Sequence, residues 1–111
     1  MEIKVTDLGD GIAIVHLEGR LNMVTAARLR EVVSAAVAKG YSRLAVDLAD
    51  VEFIDSSGLG ALISGLKTAR LAGGDLRIAA PTDQVKLVLQ LTNMERVLTA
   101  YDRAETAFDS D

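Results

Sequence analysis

Residues 53–60 read Phe-Ile-Asp-Ser-Ser-Gly-Leu-Gly and carry the densest chemistry in the chain. One carboxylate, Asp55, is followed by two hydroxyls, Ser56 and Ser57, and then by Gly58 and Gly60. Two uses fit these types at this spacing. Asp and Ser side chains accept hydrogen bonds from the orphan N–H groups of a helix's first turn, so any of the three can act as a cap. One cap needs one side chain, yet three candidates stand in a row. Gly58 and Gly60 each cost a helix about 1 kcal/mol against Ala, and they leave bare backbone that another surface can approach closely. The second use is therefore display of a hydroxyl to a partner. A helix N-terminus also tolerates an anion, through its free N–H groups and its dipole. A phosphate on Ser56 is compatible with such a position.

Other reactive groups are sparse. There is no cysteine, which removes disulfides, thiolate nucleophiles and cysteine-ligated metals together. His16 is the one histidine and lies in an apolar stretch, where the residue is usually structural or partly exposed. Asp47 and Asp50 flank the end of a strand; two such carboxylates could hold Mg²⁺, and a solvated loop is the favoured reading. Ser64-Gly65 lacks the glycine two residues before the serine that a nucleophile elbow requires. No lysine-bearing phosphate loop occurs. No base is evident beside Ser56, so a serine hydrolase is disfavoured. The expectation is a binding protein without catalysis, cofactor or metal.

The elements that position these residues follow from two periods taking turns. Residues 2–6 alternate, with Ile3 and Val5 on one side, as in a half-buried edge strand. Asp10-Gly11 is a hairpin signal. Residues 11–17 are nearly all apolar and read as a buried strand. Leu29, Val32, Val33, Ala36 and Val37 then recur at three and four, one face of a helix capped by Asn22 or Thr25 and ended by Gly40. Residues 43–48 form the next buried strand, 58–72 a second helix ended by Gly73-Gly74, and 75–80 another strand. Pro81 breaks the chain, and Thr82 can cap a helix over 83–92 with Val85, Val88 and Leu91 or Thr92 inward. Asn93 is suited to a left-handed terminator. A short strand over 96–101 and a terminal helix opened by Asp102-Arg-Ala-Glu, spaced as a capping box, complete the order.

That order, β-β-α-β-α-β-α-β-α, predicts an α/β domain. Its four- to five-stranded sheet is mostly parallel, with an antiparallel N-terminal edge strand and about four helices. Sites in such folds lie beyond the carboxyl ends of the parallel strands. The segments 18–24 and 49–57, read as loops, both lie there. Asn22, Met23, Asp55, Ser56, Ser57 and Leu59 are therefore expected to form one exposed patch.

At 111 residues the chain fits a single domain, half hydrophobic and a quarter charged. Twelve basic and sixteen acidic side chains give a net charge of −4, the wrong sign for a nucleic-acid surface. The first ten residues lack a basic-then-apolar signal, and no stretch approaches the length of a membrane span. A cytoplasmic location without membrane insertion is expected.

The 53–60 motif following Val-Asp-Leu-Ala-Asp-Val (46–51) resembles the central signature of the STAS domain, the fold of bacterial anti-sigma factor antagonists. Residues 15–30 are similar to that family's second strand, Gly-x-Leu-Asp/Asn loop and first helix, and 85–107 to its usual carboxyl end, so the likeness spans essentially the whole chain. The resemblance implies a partner switch. The unmodified antagonist binds an anti-sigma factor, often an ATP-dependent serine kinase, and frees the sigma factor. The kinase phosphorylates the hydroxyl after the motif's Asp, here Ser56, and a phosphatase reverses this. Asn22, Met23, Asp55, Ser56, Ser57, Gly58, Leu59 and Gly60 are the implied docking residues. Many antagonists have Asp where this chain has Asn22, which removes one charge from that face. A constitutive STAS subunit of a stressosome or a lipid-transport complex is the other reading of the same fold.

Overall fold

The computed structural model describes residues 1–109. A five-stranded sheet carries β1 (Glu2–Gly9), β2 (Ile12–Leu21), β3 (Arg43–Ile54), β4 (Asp75–Ala79) and β5 (Ala100–Tyr101) side by side in chain order. Only β1 runs antiparallel to its neighbour. Three helices link the parallel strands: α1 (Met23–Ala38), α2 (Ser56–Leu71) and α3 (Asp83–Leu91). When each successive strand is added on the same side, right-handed crossovers put every linking helix on one face of the sheet. The core reflects this. Val15, Val46 and Ile78 stand abreast in register, and they share one buried cluster with Leu29 and Val33 of α1, Leu62 and Leu66 of α2, and Val85 and Leu89 of α3.

Among the described residues, the opposite face has only the C-terminal segment for cover. Ala104, Ala107 and Phe108 close over Ile14, Ala45 and Ala79. Arg77 anchors that segment, donating to the Ala107 carbonyl at 2.8 Å with its guanidinium 4.4 Å from the Phe108 ring centre.

The elements depart from their sequence reading at several ends. β2 and β3 run on to Leu21 and Ile54, so 18–21 and 49–54 are strand. Consecutive pairing of Leu21 with Ile54 satisfies backbone that a loop would leave open. α2 starts at Ser56, not at 58, because Asp55 takes the cap. In α3 the inward positions are Val85 and Leu89, with Val88 half-buried against the same core, whereas Leu91 is 75% exposed and Thr92 is exposed too. Thr82 stands at the cap position of α3 but bonds elsewhere. Asn93 is left-handed, with φ 57°. It turns the chain into a 3₁₀ turn over Met94–Arg96, which shortens the last strand to two residues. The Asp102 capping box does not form. Arg103 precedes a single 3₁₀ turn, Ala104–Thr106, so the described residues hold three α-helices where about four were expected.

Candidate functional site

The register of β2 against β3 builds the site. Because Leu21 pairs with Ile54, the next residues, Asn22 and Asp55, leave the sheet side by side. Each caps the helix that follows. Asn22 Oδ1 accepts from the Val24 and Thr25 N–H groups, and Thr25 Oγ1 accepts from the Asn22 N–H at 3.0 Å, a reciprocal capping box. Asp55 Oδ1 accepts from the Gly58 N–H at 2.8 Å. Its other oxygen, Oδ2, accepts from the Met23 N–H at 3.3 Å. One carboxylate thus caps α2 and ties the first turn of α1 to it.

With Asp55 as the cap, Ser56 and Ser57 are released from that work. Ser56 is exposed, Ser57 is half-buried, and neither hydroxyl has a hydrogen-bond partner among the described residues. Beside them Met23 is 75% and Val24 82% exposed, an apolar step on the first turn of α1. Asn22, Met23, Asp55, Ser56 and Ser57 therefore come together at one end of the sheet, with Gly60 half-buried one turn into α2.

Gly58 and Leu59 are not part of that surface. Both are buried, Leu59 at 7% exposure, because they fall on the side of α2 that meets the sheet. The bare backbone of Gly58 admits the chain's own β2. A Cβ there would overlap the Leu21 carbonyl oxygen and stand 2.8 Å from Leu21 Cγ.

Two residues that brace the site carry no sequence signal for that role: Thr82 reads as a helix cap, and Gln84 as an ordinary helical position. β3 outruns β4, whose pairing stops at Asp47 opposite Ala79. The far end of β3 then lacks a strand on that side. α3 supplies the missing bonds: Thr82 Oγ1 donates to the Val51 carbonyl at 3.1 Å, and the Gln84 amide both accepts from the Ile54 N–H at 2.9 Å and donates to the Ile54 carbonyl at 3.1 Å. Gln84 thereby acts as a one-residue strand and fixes the backbone immediately before Asp55. Thirty residues separate the pair, so only the tertiary fold reveals it.

His16 lies away from these serines in strand β2. Its Nδ1 is 2.9 Å from Asp47 Oδ2 and its Nε2 is 3.1 Å from Asp50 Oδ2. The two acids belong to β3 and not to a solvated loop. They flank the imidazole instead of converging on one point, and no cluster suited to a metal ion exists among the described residues. No helix among those residues is long and apolar enough to cross a membrane.

Similar proteins have this architecture. A Thermotoga maritima protein named as a candidate anti-sigma factor antagonist is 33% identical over 101 residues, 90% of this chain and 89% of that one. The crystal structure of an anti-sigma factor antagonist from Mycobacterium paratuberculosis superposes with a TM-score of 0.84 at 28% identity, covering 98% of this chain and 92% of the other. The anti-sigma F factor antagonist of Paenibacillus polymyxa is 26% identical over 98 residues, 87% of this chain and 84% of that protein. Residues 4–107 match the STAS domain family from the first strand to the C-terminal turn, and the chain belongs to that family.

Proposed function

We propose that the chain is an anti-sigma factor antagonist, switched by phosphorylation of Ser56. Its relatives' names support the first part. The observation that carries the second is the exposed Ser56 hydroxyl. It stands in the first turn of α2 without an internal partner, because Asp55 does the capping, and it adjoins the exposed Met23 and Val24. In this reading the unmodified face, Asn22, Met23, Asp55, Ser56 and Ser57, docks an anti-sigma factor and so frees the sigma factor. Met23 and Val24 supply apolar area, which associating surfaces bury with gain.

The anti-sigma factor is a serine kinase in this reading. Ser56 Oγ forms a bond to the γ-phosphorus of ATP, the bond from that phosphorus to the bridging oxygen breaks, ADP leaves, and the hydroxyl proton passes to a base on the kinase. A phosphatase hydrolyses the ester. The phosphate adds about −1.5 to −2 charge units at neutral pH, next to Asp55, on a chain already at −4. A docked partner would have to bury that charge, at a cost of several kcal/mol. A loss of about 3 kcal/mol weakens binding more than about a hundredfold.

The test starts with capture of the partner from native lysate on the unmodified protein. Calorimetric titration of that partner then compares four forms: unmodified, phosphorylated, Ser56→Asp and Ser56→Ala. Binding by the unmodified and Ala forms, a partial loss for Asp and at least a hundredfold loss for the phosphoprotein are expected. Equal affinities for phosphorylated and unmodified protein would overturn the switch and leave a constitutive STAS subunit.

A further inference from the structure

Seven residues into α1, Arg30 is exposed and makes no hydrogen bond or ion pair among the described residues. Its guanidinium reaches across to α2. A Cβ placed on Gly60 would stand 3.6 Å from Arg30 Nη2. The two helices run side by side from neighbouring strand ends, joined at their starts by the Asp55 to Met23 bond. A long side chain on a helix leans back toward the N-terminus. Arg30 thus lies level with the first turns of α2 although it starts two turns into α1.

Positions 56 and 60 are four apart on a helix, so they share a face, with side-chain origins about 5–6 Å from each other. The unpartnered cation therefore sits one turn from the unpartnered hydroxyl, on the same face. A phosphoserine side chain and one rotamer change of the arginine close that gap. Guanidinium and phosphate are matched in geometry, and the pair is strong where two N–H donors meet two oxygens.

We infer that Arg30 is the internal counter-charge of phosphorylated Ser56, holding the phosphate across the groove between α1 and α2. The inference rests on the switch reading above and adds a residue to it. It also explains how the fold tolerates a dianion next to Asp55. The remaining charged groups of these opening turns do not substitute for Arg30. Asp55 and Glu31 repel a phosphate, Arg28 is engaged by the Met1 carbonyl, and Lys67 lies about two turns further along α2.

The test needs no partner protein. Phosphoserine is installed at position 56 of the full chain by codon suppression, and the phosphate is titrated by phosphorus NMR. A free phosphoserine loses its second proton at about pH 6. A nearby cation favours the dianion and lowers that midpoint. The midpoint of the otherwise unaltered phosphoprotein is expected to lie about half a pH unit below that of Arg30→Gln. Arg30→Lys, which keeps the charge, is expected to stay below Arg30→Gln, and Arg28→Gln to match the unaltered chain. The Arg30 Nε–H signal in nitrogen-15 spectra should move with the phosphorus titration. Equal midpoints for the unaltered chain and Arg30→Gln, or an equal rise for Arg28→Gln, would overturn the inference. Whether Ser56 is modified in the cell is read separately, by intact mass of the native protein, so failure of the switch and failure of the pairing stay distinct.

Discussion

Asp55 shows how much one side chain decides at the residue scale. Its two oxygens bond two helices, Oδ1 to Gly58 of α2 and Oδ2 to Met23 of α1. Loss of a cap typically costs about 1 kcal/mol and up to about 2. Asp55→Ala is expected at the upper end, since it also releases Met23. Ser56→Ala removes a hydroxyl with no partner among the described residues and is expected to stay within about 0.5 kcal/mol of the parent. Urea denaturation of both variants checks the contrast, and a Ser56→Ala loss as large as that of Asp55→Ala would show the hydroxyl to be structural. Tyr41 offers a second residue-level test. A hydrogen bond donated by the phenol to the Asp7 carboxylate, some desolvation and the carboxylate's charge raise the Tyr41 hydroxyl above its ordinary value. The phenol is therefore protonated longer in the folded chain than in the unfolded one. The contact's contribution is complete below the unfolded value of about 10 and is lost as pH rises through the raised folded value. Ultraviolet titration should find Tyr41 ionising above about pH 10, and Asp7→Asn should bring it down.

At the scale of elements, the close approach of α2 to β2 sets where the serines stand. Gly58 has no room for a side chain because the Leu21 backbone lies against it. Gly58→Ala must lift the start of α2 from the end of β2, and overpacking of this kind costs about 1–3 kcal/mol. A value near the top of that range is expected from denaturation, because the opposing atoms are backbone. Gly60→Ala meets only the far end of Arg30 at 3.6 Å and should gain some helix stability. The two glycines of one motif therefore part company, the first held by packing and the second with space for a methyl group. Gln84 belongs to the same scale. It lets α3 finish a sheet edge that β4 is too short to reach.

At the scale of the molecule, the sheet is unevenly covered. All three helices pack on one face, and the other depends on Ala104, Ala107 and Phe108. Phe108 is 5% exposed and is, among the described residues, the one large apolar group in that cover. Phe108→Ala is expected to cost about 3 kcal/mol, the low end for a buried aromatic, and to open Ile14, Ala45 and Ala79 to water. Thermal unfolding measures the loss, and hydrogen exchange should show faster opening of β2 and β4. An unchanged midpoint would mean that the C-terminal turn is an ornament to a core complete without it. The site lies at the strand ends where α1 and α2 start, so the fold can survive changes there that a partner would feel.

The sequence by itself determined the order of elements as far as the last strand, the buried strands, and the capping roles available to Asn22, Asp55 and the serines. These depend on local periods and on side chains bonding within three residues, which linear spacing records. It also carried the family likeness through the 53–60 motif. Which candidate caps, and hence which hydroxyl is left free, was settled by tertiary structure, because the Leu21–Ile54 register brings Met23 to the second oxygen of Asp55. The burial of Leu59, the strand-like role of Gln84, the exposure of Leu91 and the shortening of the C-terminal elements have the same origin. Each depends on what stands opposite a residue across the fold, at separations of thirty residues or more for Gln84 and Met23, and no local period encodes that distance.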